Sequence, residues 1–143
     1  MSNISRVFIG VDLGDKRIGL SKSDPLGLIA SPVKTIPAVN INTDIQNVVE
    51  FATECSAQKI IIGLPLLMSG EKGFQANKAS DFAKLLSDNT PIPVQAEDER
   101  LSSVEAENIL NFNRQKLSKN VKPLDSFAAA IILQRYLDRI NKG

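Results

Sequence analysis

The stretch "RVFIGVDLGDKRIGLSKSD", residues 6 to 24, constrains the fold more than any other. Two runs rich in Val, Ile, Phe and Leu flank the polar tetrad Gly14-Asp15-Lys16-Arg17. Strands joined by so short a connection must pair antiparallel, because a parallel pair needs a crossover of a dozen residues or more. The spacing predicts strands over 6–13 and 18–24. A third follows over 28–36 after Pro25-Leu26-Gly27, with Pro32 marking an edge or a bulge. These three make an antiparallel meander.

The pattern then changes period. Ile45, Val48, Val49 and Ala52 recur at helical spacing behind Asn42 or Thr43 as cap. "KIIIGLP" (59–65) reads as a short buried strand. A helix bearing Phe74, Ala79, Phe82, Ala83 and Leu86 comes next, then a fifth strand, "PIPVQAED" (91–98). Ser102 to Glu105 has capping-box spacing, which starts a helix running to about Phe112. Pro123 opens a last helix reaching about Ile140. A meander followed by alternating strands and helices implies one α/β domain over 1–143, a mixed five-stranded sheet flanked by helices.

Composition narrows the chemistry. The chain has 143 residues, no histidine and one cysteine. Histidine bases, Ser-His-Asp triads, His-ligated zinc and intrachain disulfides are therefore excluded. Cys55 reads as a half-buried structural thiol. The longest apolar run, "IIIGLPLLM", is far below the ~20 residues that span a bilayer, and the first residues lack a signal-peptide pattern. A cytoplasmic protein is expected. Catalysis, if present, must come from carboxylates, lysines, arginines and hydroxyls, which points to a hard divalent cation.

Three acidic positions stand at element ends. Asp12 closes strand 1, on one face with Phe8 and Gly10, and with Gly14 and Gly19 nearby to clear space. Asp12 also suits a turn-initiating role. "AEDERLSS" ends strand 5 in Glu97, Asp98 and Glu99. Alternation sets Asp98 on one face and Glu97 with Glu99 on the other. Asp125 sits in the first turn of the last helix, on the face of Ala128, Ala129, Ile132 and Tyr136, although a capping acid is common there. Carboxylates converging at such ends repel unless cations sit between them. One or two Mg²⁺ or Mn²⁺ ions would relieve this and suit in-line phosphodiester hydrolysis. Lys16, Arg17 and Arg100 lie beside the acids and suit phosphate oxygens. The acid-free segment "NRQKLSKNVKP" adds Arg114, Lys116, Lys119 and Lys122 as candidate nucleic-acid contacts.

"VDLGDKRIGLS", "IIIGLPLLMSG", "AEDERLSSVEA" and "LDSFAAAIILQRYL", in that order, resemble the YqgF/RuvX family of RNase H-like resolvases. The resemblance implies a ribonuclease H-like fold and metal-dependent nuclease activity. It suggests maturation of the 5′ end of pre-16S rRNA in ribosome biogenesis, or Holliday junction resolution in recombination. A largely non-catalytic nucleic-acid or ribosome-binding factor is the alternative of another class. The family's strand-1 aspartate falls on Asp12, its "DER" motif on Asp98, Glu99 and Arg100, and its last-helix aspartate on Asp125. The metal ligands implied are Asp12, Asp125 and Glu99, with Asp98 in place of Glu99 as the other option. The family's loop "GLPLNMDG" differs here at Leu67 and Ser69, and no acid stands at 63–65. The expected partner is nucleic acid, a ribosomal RNA precursor or branched DNA, bound by a monomer or a homodimer without membrane attachment.

Overall fold

The computed structural model describes residues 6–64, 74–98 and 124–141. Five strands form one mixed sheet: β1 (Phe8–Leu13), β2 (Arg17–Ser23), β3 (Ala30–Pro37), β4 (Lys59–Leu64) and β5 (Val94–Asp98). The described helices are α1 (Ile41–Glu54), α2 (Phe74–Asp88) and α3 (Leu124–Asn141). The sheet order is β3-β2-β1-β4-β5. β1, β2 and β3 pair antiparallel, while β4 joins β1 and β5 joins β4 in parallel. This is the expected meander with crossovers through helices.

β3 is an edge strand, and its register with β2 shifts between Leu20 and Ser21, opposite Lys34 and Pro32. A proline has no N–H for the ladder, so an edge with a bulge accommodates it. β3 begins at Ala30 rather than residue 28, because the preceding turn uses its amides otherwise. Leu28 and Ile29 both donate to Asp24 Oδ1 at 2.8 Å. β5 is shorter than the apolar run suggested. Pro91 and Pro93 cannot donate, and pairing starts only at Val94.

The cap of α1 also differs from expectation. Asn40, not Asn42 or Thr43, is the N-cap, and its Oδ1 accepts from Thr43 N at 2.9 Å. Asp44 reaches back to accept from Val39 N at 2.9 Å, so the two side chains satisfy amides on both sides of the helix start. The helix proposed over 102–112, the loop 65–73 and Pro123 lie outside the described residues.

The sheet carries two cores. On one face Ile9, Val11, Ile18, Leu20, Ile60 and Ile62 pack against Ile45, Val48 and Phe51 of α1 and Phe82 and Leu86 of α2. On the other, Phe8, Ala30 and Ile61 pack against Ala130, Leu133, Tyr136 and Leu137 of α3. β1 and β4 are central, so alternate residues feed both cores, which explains their unbroken apolar runs. Among the described residues no helix is long and apolar enough to cross a membrane.

Candidate acidic site at the strand ends

α3 approaches the sheet closely at Gly10. A Cβ there would stand 2.6 Å from the Ala129 carbonyl oxygen and 2.5 Å from Ser21 Oγ, which itself donates to that carbonyl at 2.8 Å. Gly10 is what permits this seat. The neighbours of β1 on α3 run in reverse order. Tyr136 meets Phe8 edge-on at 5.8 Å, and Leu133 and Ala129 cover Gly10. The helix therefore begins over the C-terminal end of β1, where Asp12 lies. Asp125 is in the first turn of that helix, one turn before Ala129; its side chain is outside the described set.

Asp12 is half-buried and, by alternation from Phe8 and Gly10, on the α3 face. Its cross-strand partner in β2 is Gly19. One residue beyond the last β1–β4 pair, Val11 with Ile62, Asp12 is followed sideways by Gly63, which pairs in turn with Glu97. A transverse row thus reads Gly19, Asp12, Gly63, Glu97. Glycines flank the carboxylate on both sides, so no side chain crowds it in the plane of the sheet.

Glu97 shares that face. It is buried, and a single guanidinium nitrogen, Arg139 Nη1, spans both of its oxygens at 2.8 and 2.7 Å. Asp98 falls on the opposite face with Val94, toward α1 and α2. The structure thus brings Glu97, and not Asp98, to the side of the sheet occupied by Asp12. Glu99 and Arg100, and the basic residues Arg114, Lys116, Lys119 and Lys122, lie outside the described residues.

Lys16 and Arg17 are exposed on the β1–β2 turn beside Asp12. Gly14 N donates to Arg17 O, and Ala38 N to Lys16 O, both at 2.9 Å, which fixes the turn. A Cβ on Gly14 would stand 2.6 Å from Arg17 O, so glycine is needed for the tight reversal. Asp15 leans away, 3.5 Å from Lys78 Nζ on α2. A separate cavity of about 220 Å³ opens on the other face of this hairpin, between Leu13, Ile18, Asn40 and Phe82.

A fit for a divalent cation can be tested on the donor chemistry. Asp12 offers hard oxygen donors in an uncrowded setting, and the chain has no histidine to favour a softer ion. The thiol of Cys55 follows α1, and burial pushes its pKa up. Among the described residues no three acidic, histidine or cysteine side chains converge. Of Asp12, Glu99 and Asp125, Asp12 is the one whose side chain is among the described residues.

Sequence reasoning missed the Glu97–Arg139 pair and the Ser21–Ala129 bond. Their partners are separated by 42 and 108 residues, and no local signal joins them.

A family model for RuvX, described as Holliday junction resolvase, matches residues 6–139. A relative from Crocosphaera subtropica, named "Putative pre-16S rRNA nuclease", is 42% identical over 131 residues, covering 92% of each chain. Relatives of the same name occur in Clavibacter michiganensis (41% identical, 91% of this chain and 81% of that one) and Protochlamydia amoebophila (40%, 91% of each). Among solved structures, T. thermophilus RuvC in complex with a Holliday junction substrate aligns with a TM-score of 0.66 at 15% identity, covering 95% and 96% of the two chains. The fowlpox virus resolvase bound to Holliday junction DNA aligns at 0.57 and 14% identity, covering 94% and 98%. At those identities the likeness is one of fold: the sheet and helix arrangement is that of the ribonuclease H-like resolvases.

Proposed function

The chain belongs to the RuvX family, and on that premise we propose that it is a nuclease hydrolysing phosphodiester bonds of structured RNA, with the 5′ region of pre-16S rRNA as substrate. The relatives that share about 40% of its sequence over nearly its whole length support this substrate. The observation that carries the site is the position of Asp12. It is a half-buried carboxylate between two glycines, under the start of the terminal helix and at the C-terminal ends of parallel strands, where open α/β sheets bind ligands.

Asp12, Glu99 and Asp125 would hold one or two Mg²⁺ or Mn²⁺ ions. Glu99 is preferred to Asp98, since Asp98 faces the other core and the longer arm of Glu99 would reach over the strand end. Bound there, the cation would supply charge neutralisation for the converging acids and for the attacked phosphate, and would acidify the attacking water. The chain's own residues do the rest. Gly19 and Gly63 leave room for a phosphate beside Asp12. Lys16 and Arg17, on their fixed turn, would pair with phosphate oxygens, as would Arg100 and the basic segment containing Arg114, Lys116, Lys119 and Lys122. The whole of 1–143 would act as one domain, as a monomer or homodimer in the cytoplasm.

The test is cleavage of a pre-16S rRNA 5′ fragment and of a four-way DNA junction with Mn²⁺, by the protein and its Asp12→Asn variant. RNA cleavage lost in the variant supports the reading. Preferential cutting of the junction moves the substrate to branched DNA. Equal cleavage by both proteins removes the site.

A further inference from the structure

From Arg6 and Lys59 at the other end of β1 across to Arg139 beside Glu97, a group of cations is mounted on aromatic rings. Arg6 Cζ stands 5.9 Å from the Phe8 ring centroid. Lys59 Nζ and Arg139 Cζ stand 5.3 and 5.5 Å from the Tyr136 centroid, and the two rings meet edge to face. Lys59 also donates to Tyr136 Oη at 2.9 Å and to Gln95 Oε1 at 3.1 Å. Both rings are buried, so the cations and not the aromatics are presented outward. Among the described residues no carboxylate is within ion-pair distance of Arg6 or Lys59, and Glu97 alone pairs with Arg139.

That arrangement is costly without an anion. Lys59 is half-buried, and among the described residues only the neutral Gln95 and Tyr136 hydrogen-bond its ammonium. Arg139 spends one nitrogen on Glu97 while its side chain stays 53% exposed, leaving donors toward solvent. Ring contacts and hydrogen bonds hold the charges in place, so an anion would bind a preformed surface. Phe8 and Asp12 are four residues apart on one strand, about 13 Å.

We propose that Arg6 and Lys59, with Arg139 between them and the Asp12 row, form a second nucleic-acid contact, gripping backbone phosphates of the duplex that flanks the bond cut at Asp12. The inference rests on the nuclease reading for its ligand class. It predicts a division of labour, with Asp12 and its companion acids breaking the bond and this patch holding the flanking duplex.

The experiment is a salt titration of binding to a 20-base-pair RNA duplex without divalent metal. Two double variants are compared with the parent: Arg6→Gln with Lys59→Gln, and Glu97→Gln with Arg139→Gln, the latter leaving no buried carboxylate unpaired. Each phosphate no longer neutralised should flatten the slope of log K against log salt by about 0.9 and weaken binding several-fold near 0.1 M salt. KM for a long substrate should rise with kcat unchanged, and a substrate too short to reach the patch should be indifferent. Should Lys59→Gln unfold the protein, Arg6→Gln alone replaces it, since Arg6 is exposed. Unchanged slopes in folded variants overturn the proposal. So does an equal loss from Lys22→Gln with Lys84→Gln, two exposed lysines of other elements. Asp12→Asn separates the two readings: full cleavage by that variant removes the nuclease site and leaves the binding titration standing.

Discussion

Ser21 Oγ donates to the carbonyl oxygen of Ala129 across 2.8 Å, where α3 is seated tightly over Gly10. This bond positions the N-terminal turn of α3 relative to Asp12. Gly10→Ala should therefore be disproportionately harmful, because its methyl would collide with both partners of that bond. A loss of at least ~1–3 kcal/mol is expected from overpacking, against about 1 kcal/mol for Ser21→Ala. Urea unfolding of both variants measures the difference, and a Gly10→Ala protein as stable as the parent would refute the close seat.

Asp12→Asn should keep the fold and reduce cleavage by more than ~100-fold, since even partners of metal ligands are worth 10–100-fold. Glu99→Gln should resemble it. Asp98→Asn, on the opposite face, should remain within a few-fold of the parent. Single-turnover rates in Mn²⁺ rank the three. A dead Asp98→Asn beside an active Glu99→Gln would reverse the assignment.

Arg139→Ala strands the buried Glu97 carboxylate. The arginine is half-exposed, so the cost should be about 1–3 kcal/mol rather than that of a fully buried pair. Glu97→Gln in the same chain should recover part of it. Thermal melts of the two single variants and the double close the cycle, and strict additivity would mean the pair contributes nothing.

Asp24 gives a pH dependence. The amide of Ile29, and with it that of Leu28, hydrogen-bonds its carboxylate and holds its pKa below the ordinary aspartate value, against a smaller opposing effect of burial. A carboxyl lowered on folding adds stability above its unfolded pKa, about 3.9, and loses it as pH falls through the folded value. Asp24→Ala should thus be less stable than the parent at neutral pH, with the gap closing in acid. Carboxyl chemical shifts of Asp24 should titrate below those of an unstructured aspartate; a midpoint at or above that value contradicts the turn geometry.

Cys55 should react slowly. Burial raises the pKa of its thiol, with Lys22 opposing and Glu54 reinforcing the shift, so little thiolate exists at neutral pH. A thiol-disulfide reagent should modify it more slowly than it does an unfolded sample. Equal rates would place the thiol outside the core it lines.

The strands and the antiparallel pairing of the first three were legible because apolar runs and short turns are local signals; the parallel places of β4 and β5 depend on crossovers and were not. Asp12 stood out for the same reason: it ends an apolar run between glycines. What the sequence hid depends on distance along the chain or on competition between equals. Asn40, Asn42 and Thr43 are all competent caps, and Asp44 decides among them by bonding back to Val39. Glu97 read as one of three consecutive acids at a strand end, because Arg139 comes 42 residues later. The cations at Arg6 and Lys59 carried no motif, since the rings that mount them come from two elements.

The terminal helix closes over residues made about a hundred positions earlier: Ser21 with Ala129, Ala30 with Gln134, Gly27 with Asn141. During synthesis at ~5–20 residues per second, the meander waits on the order of 5–20 s for its cover. For that interval Phe8, Ala30 and Ile61 lack the α3 residues that cover them among the described residues. A ribosome stalled before residue 124 would leave that face without α3, a natural client for a chaperone. The last helix is thus the step that ends the vulnerability of the nascent chain.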